Sequence, residues 1–473
     1  MKTMILKRTE SLCPVCLQKI PARIVGESDD KVYMVKDCSQ HGSFKTLIWR
    51  GVKSWLLWES LNDWEPERLE GDENVTKTER GCPFDCGLCP DHLRKACFVV
   101  VEITNRCNLN CPVCFASANE KYAYDVTLDD VERMLKTVLR YECKTSVPPV
   151  QFSGGEPTVR DDLPDMVALA KKLGFNTIMI NTNGVRIARD KEYLESLKEN
   201  GANLIYLQFD GVTDNVYLKL RGTALTEIKY KAIKNCADLG LGVILVPTVV
   251  KDVNFHQVGE IIKFAKKWIP TVRGVHFQPI SYFGRYPYQP DNDSRVTVPD
   301  MLKAIEEQTG GELKANNFVP INLGRGCESH CSFTNVSILT KSGELLPVTD
   351  FPSEKEIQEI VSSRKGKIQP KHARDVIKDY WKPSETCTCS CKFYTGDFGE
   401  LAECLQEYYL SISGMPFQDV WNIDVNRSKK CCVHLVTPNN KIIPFCTFNI
   451  TSIDGKTLYR DQAYLQYLNS KSK

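Results

Sequence analysis

The middle of the chain alternates short apolar runs with amphipathic stretches of helical period. The apolar runs predict strands at 98–103, 150–152, 177–181, 204–209, 242–246 and 274–278. Apolar residues recur at helical spacing over 128–141, 163–173 and 191–200, which predicts helices between the strands. Six strands with helical crossovers predict an α/β fold whose parallel sheet is either open or curled into a partial (β/α)6 barrel of the TIM type. Ligands then bind at the carboxyl ends of the strands.

The pattern changes towards both ends of the chain. Residues 31–35 alternate as in a strand, and 52–63 has the pattern of a short helix, so 1–64 is predicted to be a small β-rich domain. We interpret the next stretch, 65–96, as a polar linker followed by a metal-binding motif. The alternation fades after about residue 300, so we assign 97–300 to the core barrel and 301–473 to a C-terminal region.

Charge and cysteine content narrow the class of protein. Lys and Arg total 61 against 59 Asp and Glu, and this balance argues against a nucleic-acid partner. We find neither a signal peptide nor an apolar run near the ~18–20 residues that span a bilayer, so we expect a cytoplasmic protein. The Trp-rich segment 49–64 leaves peripheral membrane contact open, although a helix packed on the barrel is the simpler interpretation. Most of the 21 cysteines are clustered, which favours metal or iron–sulfur sites over disulfides.

Three cysteines follow the first predicted core strand at the spacing C-x3-C-x2-C. Cys107, Cys111 and Cys114 lie in a loop in which Pro112 opposes a regular helix. Three thiolates can hold three irons of a cubane cluster and leave the fourth iron open to a reactant. A zinc knuckle or a plain electron-transfer cluster can have the same cysteine spacing. The residues at the neighbouring strand ends therefore distinguish these sites from a cluster with an open iron.

Glycines and polar residues follow the other predicted strands. The glycines allow close backbone approach to a ligand, and the polar side chains are candidate ligand contacts, with simple strand-end capping as the alternative. The candidates are Phe115, Gly154, Gly155, Glu156, Pro157, Asn181, Asn183, Gln208, Asp210, Thr248 and Gln278.

Three further metal sites are predicted. The first, Cys13, Cys16, Cys38 and His41, has the spacing of a tetrahedral site for zinc or for a rubredoxin-like iron. The second fits a cubane cluster, or alternatively structural zinc, and comprises Cys82, Cys86, Cys89 and Cys97. The third is a second auxiliary cluster held by Cys327, Cys331, Cys431 and Cys446. Alternating thiols that are less suited to chelation stand at Cys387, Cys389 and Cys391.

These motifs resemble those of the radical S-adenosylmethionine (SAM) superfamily. The resemblance rests on Cys107-x3-Cys111-x2-Cys114 followed by Phe115, and on the Gly154-Gly155-Glu156-Pro157 turn after the second strand. It implies a 4Fe–4S cluster on the three cysteines, with SAM on its open iron and along the strand-end residues. It also implies reductive cleavage of SAM to a 5′-deoxyadenosyl radical, which abstracts hydrogen from the substrate.

The combination of motifs is similar to one archaeal group within that superfamily. The group contains tetraether lipid synthases and relatives proposed to methylate the methanopterin cofactor. The resemblance implies C–C bond formation between unactivated carbons of archaeal diether lipids as the leading expectation, with C-methylation of a methanopterin-type cofactor as the alternative. An external one-electron donor such as ferredoxin is implied in both cases. A non-catalytic electron carrier or metal-ribbon interaction protein is the third interpretation, and the glycine turn argues against it.

Overall fold

The structure is a computed structural model. It describes residues 3–62, 76–87, 89–120, 123–142, 147–287, 290–321, 328–340, 342–350 and 408–471.

The N-terminal residues form an antiparallel sheet whose four strands pair in chain order. Its strands are β1 (Met4–Leu12), β2 (Lys19–Gly26), β3 (Lys31–Cys38) and β4 (Gly42–Arg50), followed by the helix α1 (Val52–Ser60). Trp55 and Trp58 are the buried side of α1, and the Trp58 ring lies 5.3 Å from that of Trp49. The prediction of a β-rich N-terminal unit ending in a helix is therefore confirmed.

The second sheet contains the six core strands predicted from the sequence, all parallel and adjacent in chain order. They are β5 (Phe98–Glu102), β6 (Val150–Ser153), β7 (Ile178–Thr182), β8 (Leu204–Gln208), β9 (Gly242–Val246) and β11 (Val272–Pro279). The short strand β10 (Thr248–Val249) pairs with the end of β11. This arrangement confirms the α/β fold of a partial TIM-type barrel.

Helices follow the strands and cover the outer face of the sheet. They are α2 (Leu128–Glu142), α3 (Leu163–Lys172), α4 (Val185–Arg189), α5 (Lys191–Asn200), α6 (Asp214–Arg221), α7 (Thr226–Asp238), α8 (Val258–Lys267) and α9 (Val298–Gln308). Short 3-10 turns lie at Pro157–Val159, Phe255–Gln257, Ala315–Asn317, Ser329–Cys331 and Val348–Asp350. Side chains alternate along each strand, so Val150 and Phe152 join the apolar core under the helices while Gln151 faces the other way.

The C-terminal part extends the core sheet at both edges. Its elements are β12 (Phe333–Leu339), β13 (Leu345–Pro347), β14 (Tyr409–Gly414), α10 (Val425–Ser428), β15 (Val433–Val436), β16 (Ile442–Pro444), α11 (Phe445–Asn449) and α12 (Arg460–Lys471). Strand β14 pairs in parallel with β11, and β15 pairs in parallel with β5. The division of the chain at residue 300 stays a prediction, although strands from both sides of it share one sheet.

Candidate active site and metal centres

A cavity of about 260 Å³ opens at the carboxyl ends of the core strands. Cys107, Cys111 and Cys114 line it together. Most of the predicted contact residues line it as well, namely Phe115, Gly154, Gly155, Glu156, Asn181, Asn183, Gln208, Thr248 and Gln278. Pro157 and Asp210 are not among its lining residues and lie buried behind it.

Two residues outside the predicted set hold the cysteine loop in shape. The Asn119 side chain accepts from the Cys107 backbone N–H at 2.9 Å and donates to the carbonyls of Cys107 and Leu109 at 3.0 and 3.2 Å. Arg285 donates from Nε to the Cys111 carbonyl at 2.8 Å and exchanges two backbone hydrogen bonds of 2.9 Å with Cys114. Sequence analysis missed both residues because their spacing from the cysteines matches no motif.

The Gly154-Gly155 turn packs directly on the backbone that leads into the cysteine loop. Gly155 N–H donates to the Thr104 carbonyl at 2.7 Å. A Cβ on Gly154 would lie 2.1 Å from the Thr104 carbonyl oxygen, and one on Gly155 would lie 2.3 Å from that of Arg106. The glycines therefore permit close approach of the turn to this loop, and their predicted contact with a ligand stays a prediction.

Gly155→Ala is expected to displace the cysteine loop. The new methyl group would overlap the Arg106 carbonyl at 2.3 Å, and overpacking of this kind costs about 1–3 kcal/mol of folding stability. We expect lower iron content after anaerobic reconstitution, measured by iron assay, together with a lower unfolding midpoint. Gly174→Ala is the control. A Cβ added there meets no atom within 4 Å, and only the positive φ of +95° disfavours it. Equal iron content in both variants would contradict the expectation.

Glu156 ties the turn to the end of β7. Its carboxylate accepts from the Thr158 hydroxyl at 2.6 Å, the Thr182 hydroxyl at 2.7 Å and the Asn183 backbone N–H at 2.6 Å. Burial raises the pKa of Glu156, and these donors oppose that effect. With its oxygens engaged in this way, the carboxylate holds the positions of two strand ends.

Asp210 forms a buried ion pair beside the cavity. Both of its oxygens accept from Arg221, from Nε at 2.6 Å and from Nη2 at 2.7 Å. Burial lowers the pKa of Arg221, but the Asp210 charge outweighs it and the net pKa is raised. Arg221 also donates to the Val113 carbonyl at 3.1 Å and to the Thr248 hydroxyl at 3.1 Å. Asp210 thus orients Arg221, which links the cysteine loop to two strand ends and was not predicted.

The predicted N-terminal metal ligands converge as a single site. The ligand atoms of Cys13, Cys16, Cys38 and His41 all lie within 4.8 Å of one another. His41 Nδ1 is 3.6 Å from Cys13 Sγ and 3.4 Å from Cys38 Sγ. Tetrahedral zinc with ordinary bond lengths places such atoms roughly 3.5 Å apart. The donor set and its spacing therefore fit one metal ion.

The second predicted set is only partly assembled. Cys82, Cys86 and Cys89 line a small pocket together with His92. Cys97 is not among its lining residues: its Sγ lies 2.7 Å from Cys432 Sγ, and Cys97 lines the main cavity instead. Strand β15 begins directly after Cys432 and pairs in parallel with β5. The sequence did not predict that pairing.

The third predicted set is also brought together in part. Burial raises the pKa of Cys446, and the charges of Cys431 and Cys331 raise it further. Cys331 also packs against Cys97 and Cys432, which the sequence did not place in this set. Arg427 donates to Cys331 Sγ at 3.1 Å. The remaining predicted cysteines, Cys327, Cys387, Cys389 and Cys391, lie outside the described residues.

A fold with parallel strands, a C-x3-C-x2-C loop at their carboxyl ends and a glycine turn against that loop defines a radical SAM enzyme. The family profile "Radical SAM superfamily" matches residues 101–265, and "HMPTM N-terminal zinc ribbon domain" matches residues 5–50. The chain is 38% identical, over 94% of its length and 93% of the relative's, to 7,8-dihydro-6-hydroxymethylpterin dimethyltransferase of Methanocaldococcus jannaschii. It therefore belongs to the family of that protein.

Other similarities are confined to part of the chain. Fe-coproporphyrin III synthase of Methanosarcina barkeri is 31% identical over 40% of this chain and 45% of its own. SuiB of Streptococcus suis, solved bound to S-adenosylmethionine, is 19% identical with a TM-score of 0.38, over 46% of this chain and 48% of its own.

These findings settle the class of cofactor and correct the expected reaction. The enzyme uses a 4Fe–4S cluster and SAM, and it needs an external electron donor. Its cysteine clusters fit auxiliary metal sites, and the ribbon match favours zinc at the N-terminal site. The leading expectation of lipid coupling is contradicted by the full-length match to a pterin dimethyltransferase, which favours the alternative. Among the described residues, no helix combines the length and apolar character needed to cross a membrane.

Cys16→Ser is expected to remove the ribbon metal and leave the barrel's iron in place. Loss of one thiolate opens the tetrahedral site, and structural zinc contributes directly to the folding of the unit that binds it. Zinc and iron are measured on the same sample. The zinc content should fall by about one ion per chain, and the iron content should stay unchanged. Ser43→Ala, on an exposed hydroxyl of the same ribbon, is the control and should retain zinc. A variant that still holds stoichiometric zinc would show that the four residues are not the ligands.

Proposed function

We propose that this chain is a radical SAM C-methyltransferase that acts on a pterin of the 7,8-dihydro-6-hydroxymethyl type. The observation that carries the proposal is the match to a pterin dimethyltransferase along nearly the whole length of both chains. A match of that extent includes the ribbon, the barrel and the C-terminal strands, and not the radical SAM core alone. The cavity supports it, because cysteines at its mouth and polar side chains deeper in the barrel share one space.

Cys107, Cys111 and Cys114 are the proposed ligands of the 4Fe–4S cluster that receives SAM. Thiolates from one short loop are the donor set that cubane clusters take. When bound, the cluster and SAM would supply a 5′-deoxyadenosyl radical that abstracts hydrogen from the pterin carbon. A second SAM would supply the methyl group and leave as S-adenosylhomocysteine, with the external donor providing the two electrons that the reaction needs. The strand-end residues that line the cavity are the proposed SAM contacts, among them Gly154, Asn181 and Gln208.

The protein's own part is to place reactants and exclude water. Asn119 and Arg285 fix the cysteine loop, and Glu156 fixes the glycine turn against it. Apolar walls from Phe115 and Phe445, whose ring centroids are 5.9 Å apart, face the same cavity. Such walls keep water from a radical, which would otherwise be lost to side reactions.

The other cysteines are proposed to hold two auxiliary clusters. Cys82, Cys86 and Cys89 supply three ligands for one of them. Cys331, Cys431 and Cys446 supply three for the other.

The test is product analysis with purified, anaerobically reconstituted protein. The protein is incubated with SAM, dithionite and 7,8-dihydro-6-hydroxymethylpterin, and the products are identified by mass spectrometry. A methylated pterin, formed together with 5′-deoxyadenosine and absent without SAM, supports the proposal. Formation of 5′-deoxyadenosine without any methylated pterin, in the presence of active cluster and bound pterin, overturns it.

A further inference from the structure

The interior of the barrel carries polar side chains below the level of the strand ends. Gln151, Tyr206 and His276 each lie two residues before a strand-end position, and all three line the same cavity as the cysteines. Together with Gln278 we call them the polar base. Barrel interiors of this kind are ordinarily filled with branched apolar residues. Polar side chains at this level therefore indicate a ligand that forms hydrogen bonds with them.

Gln151 lacks a partner for one end of its amide. The side chain is buried, with 5% of its surface exposed, and it projects from the middle of β6 into the cavity. Its Nε2 finds no hydrogen-bond acceptor among the residues that the structure describes. A buried amide donor left without an acceptor is unfavourable, so the site is complete only when something in the cavity accepts from it.

The rest of the polar base is uncharged. His276 Nδ1 lies 2.9 Å from the Ser413 hydroxyl, and burial lowers the pKa of His276 to about 4, so the imidazole is neutral near pH 7. The Tyr206 ring centroid is 5.9 Å from that of His276, and its hydroxyl hydrogen-bonds with Gln278. Burial raises the pKa of Tyr206, which keeps the phenol protonated.

We propose that the polar base binds the hydrogen-bonding edge of a neutral heterocycle, with the Gln151 amide as its principal contact. This proposal rests on the proposed function, because a pterin ring offers the required edge, a planar row of amino, ring-nitrogen and oxo groups. A glutamine amide pairs with such an edge as it does with adenine in nucleic acids. An anionic group would meet no cation in the polar base, and a hydrocarbon chain would leave the amide unpaired.

The geometry fits the direction of the reaction. Gln151, Tyr206 and His276 lie below the strand ends, while the cysteines lie at the cavity mouth on the loop after β5. A ring held by one edge at the base presents its opposite edge towards the strand ends and the cysteines. Gln151 therefore orients the substrate and selects among heterocycles.

The test compares Gln151→Leu with the wild-type holoenzyme. Binding of 7,8-dihydro-6-hydroxymethylpterin to the anaerobic, SAM-loaded protein is followed by the fluorescence of the pterin. We expect the Kd to rise about 10- to 100-fold, the effect of losing one or two hydrogen bonds from a buried site.

A pteridine with an amino group in place of the 4-oxo group puts a donor where Gln151 Nε2 needs an acceptor, and it supplies a second, chemical comparison. The wild-type protein should bind it more weakly than the pterin, whereas Gln151→Leu should bind the two alike. Gln257→Leu is the matched control, because Gln257 is a buried glutamine that does not line the cavity. Its pterin Kd should equal that of the wild type.

The outcomes separate this inference from the proposed function. If the wild type methylates pterin and Gln151→Leu has the same Kd and the same preference as the wild type, the inference is wrong and the function stands. If the wild type does not bind pterin at all, both fall. Should Gln151→Leu fold poorly, as judged by iron content and unfolding midpoint, Gln151→Met retains the volume and takes its place.

Discussion

Cys111→Ser is expected to abolish formation of 5′-deoxyadenosine from SAM. Cys111 lines the cavity between Cys107 and Cys114, and a cubane cluster held by only two of three thiolates loses its geometry and its iron. We expect activity at background level and the loss of about four irons per chain. The measurements are chromatography of the nucleoside product and iron and sulfide assays on the same preparation.

Cys236→Ser is the matched control for this experiment. Cys236 is a fully buried thiol on α7, and it does not line the cavity. Its replacement should leave iron content and SAM cleavage close to those of the wild type. If Cys111→Ser keeps all of its iron and continues to cleave SAM, our assignment of the cluster is wrong.

Glu102→Ala is expected to destabilise the protein by ~3–5 kcal/mol, because it leaves a buried charge without its partner. Glu102 ends β5, and its two oxygens accept from Arg460 on α12 at 2.7 and 2.8 Å. Tyr464 donates to the same carboxylate at 2.6 Å. Both ionic groups are buried, with Glu102 at 0% and Arg460 at 5% exposure. Denaturant unfolding of the metal-loaded protein measures the loss.

Two companion variants make the interpretation specific. Lys191→Ala breaks an exposed ion pair with Asp238 and should cost at most about 1 kcal/mol. Replacing both Glu102 and Arg460 with leucine should recover most of the lost stability, since no buried charge is then left unpaired. A cost for Glu102→Ala no larger than that for Lys191→Ala would show that α12 is not held to β5 by this pair.

The local sequence pattern was sufficient for the core strands and for the cysteine motifs. Strands β5 to β9 and β11 are apolar runs of strand length, and burial on both faces gives such runs in a parallel sheet. Cys13, Cys16, Cys38 and His41 converge as predicted, because each pair is held by a tight local turn. Metal-ligand spacing within one turn is a local property and can be read without the fold.

Long-range pairing could not be read in the same way. Cys97 follows Cys89 closely along the chain, and this spacing predicts one shared site, but β15 lies beside β5 and places Cys432 against Cys97. Asn119, Arg221 and Arg285 hold the cysteine loop from separate elements, and none of them carries a motif. The substrate prediction was wrong for a related reason, since one set of radical SAM motifs serves many substrates.

The sequence by itself determined the parallel core, the ribbon site and the loop of three cysteines, because apolar periodicity and ligand spacing act over a few residues. Only the tertiary structure decided which cysteines become neighbours, which arginines orient the loop, and that Gln151 enters the cavity with an unpaired amide. Those relations depend on contacts between residues far apart in the chain, and a pattern read along one strand does not contain them.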